Sequence, residues 1–381
     1  MDAQKRFLDE LDGALQYRDS LHLRRSLILP QGIDFTSNDY LGLNSSETFL
    51  QGISDAWNEY EPGATASRLL RGHHQSHHNV EQELATFCNV ESTLLFTSGF
   101  ALNAGLYAAI TTADDAIFSD QYNHASIIDG LRLSKATKHI YPHQRLDLLE
   151  AMLEKRPPSQ RAFVVVESLY SMDGDITDLR RLADVCERQQ ALLIIDEAHA
   201  TGLFGAKGAG LIEEHGIREQ TLLSIHTAGK ALATQGAWVA SSTIMIEHLV
   251  NHCRSFIYST GMSPAMSAGL NFALRFAQQH PELRQAAKDN AAFFRSCANQ
   301  LELPVPAASS GPIVPVMIGD DQHALVVAAR LQAQGFDIRA IRPPTVPPGT
   351  ARLRVVIHAS HQRDTMRTLA DAIALTLKEV Q

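Results

Sequence analysis

The sequence predicts an α/β fold with a large, mostly parallel sheet and a smaller α+β region after it. Short apolar runs at residues 192–195 and 222–225 end in polar residues, which is typical of interior parallel strands. Helical stretches alternate with such runs, and this alternation indicates a sheet flanked by helices. Because this alternation of strands and helices stops near residue 260, we expect a helix and strand segment at 1–45, a large domain at 46–260 and a small domain at 261–381.

Composition and charge argue against several classes of protein. The 381 residues are 45% hydrophobic and 20% charged, which is ordinary for a globular chain of two domains. A net charge of -9 argues against a protein that binds nucleic acids or membrane surfaces. The four cysteines form no C-x-x-C pair, and no apolar run is long enough to span a bilayer. We therefore expect a cytoplasmic protein without a signal peptide.

The N-terminal segment is predicted to form an amphipathic helix over residues 5–25, and then a strand that runs into a turn within residues 34–43. The helix carries an apolar stripe made of Phe7, Leu8, Leu11 and Leu15. Arg24 and Arg25 come at its end, and surface charge accounts for at least one of them. The other is a candidate for binding a substrate carboxylate, because a guanidinium can donate two parallel hydrogen bonds to it.

A histidine-rich loop occupies residues 63–78, with four histidines within residues 73–78. Such a density raises the question of zinc, but neither a cysteine nor a regular helical pair of ligands accompanies these histidines. We expect no metal here, and we interpret the segment as the start of a helix that continues through residues 80–84.

Two turns after predicted strands offer contacts to a cofactor. The strand at residues 93–97 leads into Ser98 and Gly99, where a glycine turn and a helix start present backbone amides to a phosphate. The strand at residues 116–119 leads into a loop that carries His124, whose ring is suited to stacking on a pyridine ring.

Residues 192–230 carry the richest set of reactive side chains. Asp196 and His199 follow one predicted strand, and Thr227 and Lys230 follow the next. Open parallel sheets bind ligands beyond the carboxyl ends of their strands, so these groups should share one crevice. A lysine that forms a Schiff base and a carboxylate that keeps a pyridinium nitrogen protonated are what pyridoxal 5'-phosphate requires. His199 would orient the cofactor's phenolic oxygen, and Thr227 would bind its phosphate.

The C-terminal region departs from this pattern. A long helical stretch is predicted to about residue 299, and short strands follow at residues 313–317 and 353–357 before a final helix. Between these strands lies a proline-rich loop at residues 340–352, which is either a wall of a substrate channel or a stiff connector.

These segments resemble the α-oxoamine synthases, which are pyridoxal-phosphate enzymes of fold type I, over nearly the whole chain. The resemblance implies a large, mostly parallel sheet of the seven-stranded type, a smaller C-terminal α+β domain and a homodimer with shared active sites. It rests on the motifs at residues 37–42, 98–100, 123–126, 171–175, 196–202, 229–230 and 258–260.

The resemblance also assigns roles to single residues. It implies that Lys230 and Asp196 are catalytic, as Schiff-base lysine and partner of the ring nitrogen. The other cofactor contacts that it implies are His124 stacked on the ring, Gly99 and Phe100 beside the phosphate, Ser171 and His199 near the ring oxygen, Thr227 at the phosphate, and Thr260 at the neighbouring subunit's phosphate. Arg24 and Thr345 match positions that contact substrate, and His124 would hold the substrate carboxylate as a third catalytic residue.

Within this family, the segment at residues 342–354 looks most like that of the 8-amino-7-oxononanoate synthases of biotin synthesis. The implied reaction is a decarboxylative condensation of L-alanine with pimeloyl-CoA or pimeloyl-acyl carrier protein, since the sequence does not specify the carrier. The segments at residues 63–71 and 226–228 depart from the family pattern and bear on fine specificity.

Three other functions fit parts of the sequence. A sister synthase would condense glycine or serine with a different acyl-CoA. A catalytically silent partner subunit would lack the Schiff-base lysine, whereas Lys230 is present. A nicotinamide oxidoreductase would carry G-x-G-x-x-G after its first strand, and the sequence has no such motif there.

Overall fold

The computed structural model describes residues 2–380 and confirms the α/β architecture. The described residues form one sheet of seven strands, one of three and one of two. In chain order the strands are β1 (Ile33–Asp34), β2 (Ser92–Phe96), β3 (Ala116–Asp120), β4 (Thr137–Tyr141), β5 (Ala162–Glu167), β6 (Ala191–Asp196), β7 (Thr221–Thr227), β8 (Ala237–Ser241), β9 (Ile313–Gly319), β10 (Phe336–Asp337), β11 (Ala340–Ile341) and β12 (Ala351–Val356).

The described residues also form fourteen α-helices, of which the first buries none of its residues. In chain order they are α1 (Ala3–Ser20), α2 (Glu47–Asn58), α3 (Gln75–Cys88), α4 (Gly99–Ile110), α5 (Ala125–Leu133), α6 (Leu146–Glu154), α7 (Leu179–Arg188), α8 (Leu211–His215), α9 (Thr243–His252), α10 (Arg254–Ile257), α11 (Pro264–Gln279), α12 (Pro281–Gln300), α13 (Asp321–Ala333) and α14 (Arg363–Val380). None of the helices within residues 2–380 is both long and apolar enough to cross a membrane.

The seven-stranded sheet has the strand order β2-β8-β7-β6-β5-β3-β4. Neighbouring strands from β7 to β4 pair in parallel, whereas β8 is antiparallel to both β7 and β2. The four strands whose ends were predicted to carry functional residues are β2, β3, β6 and β7. All four lie in this sheet and run in the same direction, so their carboxyl ends share one edge.

Both faces of this sheet are covered. Strand β5 shows the consequence, because all of its residues are buried and successive side chains enter opposite layers. Val164 and Val166 belong to one apolar core, and Phe163 and Val165 belong to the other. A run of apolar residues without alternation is therefore what the position of this strand requires.

The C-terminal part has a separate core. Strands β11, β12 and β9 form an antiparallel sheet, and Val355 of this sheet packs in one cluster with Phe294 and Ile373 of the surrounding helices. Strand β1 pairs in parallel with β10, so the N-terminal segment joins this part of the molecule. The proposed domain boundary near residue 260 falls between α10 and α11.

Three local expectations differ from the structure. The first helix ends at Ser20 rather than near residue 25, and His22 beyond it has a positive φ of 55°. The strand expected to run into a turn within residues 34–43 is only the two-residue β1. The turn itself is present, and there the Asp39 carboxylate accepts hydrogen bonds from the backbone N–H groups of Leu43 and Asn44. The long helical stretch is divided into α11 and α12, and Pro281 begins the second of them.

Candidate active site

A cavity of about 300 Å³ opens at the carboxyl edge of the seven-stranded sheet. Parallel strands bring to this edge side chains that are far apart in the sequence. The predicted site residues that line it are Gly99, Phe100, His124, Asp196, His199, Thr227 and Lys230.

Lys230 lies three residues beyond the end of β7, and its amine donates a long hydrogen bond of 3.4 Å to Thr227 Oγ1. Burial lowers the pKa of the Lys230 amine, and the negative charge of Asp196 opposes that shift. A lowered pKa increases the share of the neutral, nucleophilic amine. The cavity therefore contains an amine that is suited to attack on an aldehyde.

Asp196 is the last residue of β6 and is 5% exposed. One of its carboxylate oxygens accepts a hydrogen bond from the Ala198 N–H at 2.9 Å, and the other accepts one from the Asn103 amide at 3.1 Å. Asn103 also donates to Ser126 Oγ at 3.0 Å. These bonds fix the orientation of the carboxylate within the cavity.

His199 is buried and bonded to Tyr40, whose hydroxyl lies 2.6 Å from its Nδ1. That hydroxyl donates to Asn38 Oδ1 at 3.1 Å, so it accepts the proton on His199 Nδ1. Burial lowers the pKa of His199 well below its usual range, and the charges of Lys230 and Arg354 add to the shift. The imidazole is therefore neutral at pH 7.

His124 is the N-cap residue of α5, and its Nδ1 accepts from the Ser126 N–H at 3.2 Å. Its own backbone N–H donates to Glu167 Oε1 at 2.5 Å. Burial lowers the pKa of the His124 imidazole. Burial raises the pKa of the Glu167 carboxyl, and the negative charge of Asp196 raises it further. The ring is thus held as a neutral group beside a carboxyl that favours its protonated form.

The start of α4 forms an anion cradle next to Thr227. Ser98 caps this helix by accepting a hydrogen bond from the Ala101 N–H at 3.2 Å, which leaves the positive helix end at the cavity. A Cβ added to Gly99 would lie 2.8 Å from Thr227 Cγ2, so the close approach requires glycine. Thr234 Oγ1 is buried at the cavity without a partner in the described residues.

These features fit pyridoxal 5'-phosphate. The cradle and the unpartnered Thr234 hydroxyl suit its phosphate, and Asp196 suits its ring nitrogen. Lys230 lines the same cavity and would hold its aldehyde carbon.

Four predicted site residues do not line the cavity. Arg24 is exposed and forms an ion pair with Asp19 at 2.6 Å. The second is Thr345, whose Oγ1 accepts a hydrogen bond at 3.4 Å from Arg25, the neighbour of Arg24. Thr260 is exposed and forms a backbone bridge with Ser67. The fourth is Ser171, whose backbone carbonyl accepts from the Arg354 guanidinium at 2.5 Å. The roles of these four residues stay predictions.

Arg354 is one of several residues at this site to which the sequence reasoning gave no role; the others are Asn38, Tyr40, Asn103 and Glu167. It is 8% exposed in β12 and donates to Asn38 Oδ1 at 2.9 Å. Its charge acts on the pKa of both Lys230 and His199, so it lies close to the cavity. The signal that would have found it is an arginine within an apolar strand, since a buried charge needs a specific reason. Asn103 gave a similar signal as the side-chain amide of an otherwise apolar helix.

The family model for aminotransferase class I and II matches residues 30–373 of this chain. A curated 8-amino-7-oxononanoate synthase from Marinobacter nauticus is 41% identical over 343 residues, which cover 90% of this chain and 86% of that protein.

Solved structures agree with this match. The 8-amino-7-oxononanoate synthase from Francisella tularensis has a TM-score of 0.79 at 28% identity, over 91% of this chain and 98% of that one. A serine palmitoyltransferase from S. paucimobilis, solved with a bound PLP–myriocin aldimine, has a TM-score of 0.91 at 25% identity, over 100% of this chain and 99% of that one. The chain therefore belongs to the aminotransferase class I and II family and, within it, to the 8-amino-7-oxononanoate synthases.

Proposed function

We propose that the protein condenses L-alanine with a pimeloyl thioester and releases carbon dioxide and the carrier thiol. This reaction would form 8-amino-7-oxononanoate, the product for which its synthase relatives are named. The observation that carries the proposal is the Lys230 amine, which shares one cavity with Asp196 and with the anion cradle at Gly99. The cofactor is pyridoxal 5'-phosphate. When bound, it supplies a protonated ring that accepts negative charge from the substrate's α-carbon.

The chain's own residues keep this ring in its reactive form. Asp196, fixed by Asn103, holds the proton on the ring nitrogen because a carboxylate there favours the charged pyridinium. His124 would cover one face of the ring, and the neutral His199 would bond to the ring oxygen. Thr227 and the start of α4 would hold the phosphate.

Lys230 would hold the aldehyde of the bound cofactor. Its Nζ, once free of the aldehyde, would accept the α-proton of L-alanine, because burial favours the neutral amine. The same nitrogen would later return a proton to that carbon.

Arg354 is the cation that we assign to the carboxylate of L-alanine, together with His124. It is buried at the edge of the cavity, and a guanidinium can bind a carboxylate through two hydrogen bonds. Arg24 and Thr345 are assigned to the pimeloyl thioester, whose carrier is coenzyme A or acyl carrier protein.

The active enzyme is proposed to be a cytoplasmic homodimer with shared sites. Thr260 supports this proposal, because an exposed hydroxyl can reach the cofactor phosphate of a neighbouring subunit. Tyr258 beside it is 71% exposed, which is unusual for an aromatic side chain unless another surface covers it.

A second candidate is a sister synthase that uses glycine or serine with another acyl-CoA. The match to serine palmitoyltransferase over the full length of this chain favours it. The two candidates differ in substrate, while the roles of Lys230 and Asp196 are the same in both.

The decisive experiment is an absorbance spectrum of the protein loaded with pyridoxal phosphate, before and after L-alanine and then pimeloyl-CoA. We expect a visible band that L-alanine perturbs, followed by thiol release. A response to glycine or serine alone would select the second candidate.

Lys230→Ala should abolish both the lysine-linked visible band and turnover, because no other amine replaces the nucleophile in this position. Lys207→Ala, which changes an exposed lysine, is the matched control and should leave both unchanged. Normal turnover by the Lys230 variant would refute the proposed function.

A further inference from the structure

A charged cluster outside the cavity connects the loop that carries His124 to the loop that carries Ser171. His143 lies beyond β4, with Nδ1 2.8 Å from Asp120 Oδ1 and Nε2 2.8 Å from Asp175 Oδ2. A ring that donates at both nitrogens carries two N–H groups and is therefore protonated. Against the lowering effect of burial, the hydrogen bonds to Asp120 and Asp175 raise the pKa of His143 to about 9.

Asp120 belongs to the loop that carries His124. It ends β3, four residues before His124, and is 2% exposed. Its Oδ1 also accepts from the Tyr122 N–H at 2.8 Å, and its Oδ2 accepts from the Gln144 N–H at 3.0 Å. The carboxylate thus organises the backbone on the way to His124.

Asp175 belongs to the loop that carries Ser171. Its backbone carbonyl accepts from the Tyr170 N–H at 3.0 Å, and its Oδ2 accepts from the Gln144 amide as well as from His143. In the described part of the chain, His143 is the one cation within ion-pair distance of Asp175 or Asp120. Without that cation two buried carboxylates would lie close together uncompensated, which is costly.

Aromatic contacts extend the cluster to the residue before His124. Tyr122 stacks on the His143 ring with centroids 4.5 Å apart, and Tyr170 meets the ring edge-on at 4.5 Å. The Tyr170 hydroxyl donates to Asn123 Oδ1 at 3.4 Å, and the Asn123 amide donates to the Val165 carbonyl at 2.8 Å. Both routes from His143 lead to the backbone that holds His124.

We propose that His143 is a positioning residue. Held as a cation between Asp120 and Asp175, it fixes the loop of His124 against the loop of Ser171 and so sets the angle at which the His124 ring meets the cofactor. The inference rests on the proposed function in one respect, namely that His124 contacts pyridoxal phosphate.

The test compares His143→Gln with the wild type, both loaded with pyridoxal phosphate. Glutamine keeps an amide donor but removes the charge. Visible circular dichroism reports the asymmetry of the bound cofactor and needs no substrate. We expect its amplitude to fall about twofold or more and kcat to fall about tenfold, with KM for the thioester changed less than about twofold.

His280→Gln is the matched control, because it removes an imidazole that lies 2.8 Å from Glu282 on the surface. It should change neither the circular dichroism nor kcat. Unchanged dichroism and kcat in His143→Gln, at full cofactor content, would overturn the proposal.

The pH dependence separates a positioning role from a structural one. The titratable groups that face His143 are Asp120, Asp175, Tyr122 and Tyr170, and burial raises the pKa of Tyr170 well above its usual range. In the wild type we expect a step in the visible dichroism near pH 9, where His143 loses its proton, and no such step in His143→Gln. A step that persists in the variant would not come from His143 and would contradict the proposal.

If His143→Gln does not fold, the wild-type titration decides alone, since an unchanged dichroism between about pH 8 and 10 overturns the proposal. Failure of the proposed function looks different. A protein with the expected dichroism but no turnover of L-alanine would refute that function and leave the positioning role intact.

Discussion

Burial shifts several groups of the cavity toward their neutral forms. It lowers the pKa of Lys230 and of His199, and it raises the pKa of the Glu167 carboxyl. All three shifts favour the neutral form of the group, and a neutral Lys230 amine can accept the proton from the substrate's α-carbon. Arg354 keeps its charge because a guanidinium is not deprotonated in proteins. It is therefore the group best suited to an anionic part of the substrate.

Arg354→Gln should raise KM for L-alanine about tenfold or more, because it removes charge-assisted hydrogen bonds to the substrate carboxylate. Steady-state kinetics with varied L-alanine would measure this effect, and the visible spectrum would show that the cofactor is retained. Arg339→Gln is the control, since Arg339 forms its ion pair with Asp337 at 2.9 Å on the edge of the C-terminal part. An unchanged KM in Arg354→Gln would remove Arg354 from the substrate site.

Helices α4 and α5 support the cavity as a packed pair. The first turn of α4 holds the anion cradle, and Asn103 in its middle orients Asp196. Gly130 of α5 faces α4 so closely that an added Cβ would lie 2.1 Å from the Asn103 carbonyl oxygen. This glycine is thus required by the distance between two helices rather than by its own backbone conformation.

Gly130→Ala should destabilise the protein by about 1–3 kcal/mol and lower turnover, because α5 must move away from Asn103. Urea unfolding and kcat would be measured together. Gly13→Ala in α1 is the matched control, since an added Cβ there meets nothing within 4 Å. It should leave turnover unchanged and stabilise the protein by at most about 1 kcal/mol. Equal effects of the two variants would contradict the role of the α4–α5 contact.

Two neutral histidines, the buried His77 and the half-buried His361, connect distant parts of the chain. His77 Nδ1 accepts from the His74 N–H at 3.0 Å, and its Nε2 donates to the Met262 carbonyl at 2.8 Å. His361 has the same arrangement with the His358 N–H and the Asp34 carbonyl. Burial lowers the pKa of both imidazoles to about 4. The loop at residues 63–78 therefore uses His77 to hold α3 against the segment before α11.

Stability should fall as the pH decreases from about 6.5 to 4. When the pKa of a histidine is lower in the folded state, the unfolded chain binds more protons than the folded protein between the two pKa values. The stability that this histidine contributes is therefore fully present above pH 6.5 and is lost as the pH falls toward the folded-state pKa. We expect a loss of up to about 3 kcal/mol for each of His77 and His361, measured as the free energy of unfolding in urea. Glu197, whose pKa burial raises to about 7, acts in the opposite direction.

His77→Gln and His361→Gln isolate the histidine contribution. Each variant should be less stable at pH 7 but should lose less stability on acidification than the wild type does. His280→Gln, at an exposed position, should follow the wild-type slope. An acid slope that is identical in all four proteins would contradict this assignment.

The sequence by itself determined the sheet, the cofactor and most of the cofactor residues. Short apolar runs that end in polar residues identify interior strands, and the carboxyl ends of parallel strands share one edge by geometry. For this reason Asp196, His124, Thr227 and Lys230 could be placed in one cavity before any coordinate was known, and the cavity contains them. The short strands β1, β10 and β11 gave no such signal, because two residues carry no periodicity.

Only the tertiary structure decided which polar residues outside these strand ends reach the site. Arg354 comes from the C-terminal part, and Tyr40 comes from the N-terminal segment that pairs with it. His143 acts on His124 through carboxylates of two different loops. Contacts between residues so distant in sequence depend on how separate elements pack, and local patterns in the chain do not encode that packing. The sequence therefore predicts the groups that perform the chemistry, whereas the fold decides which groups hold them in position.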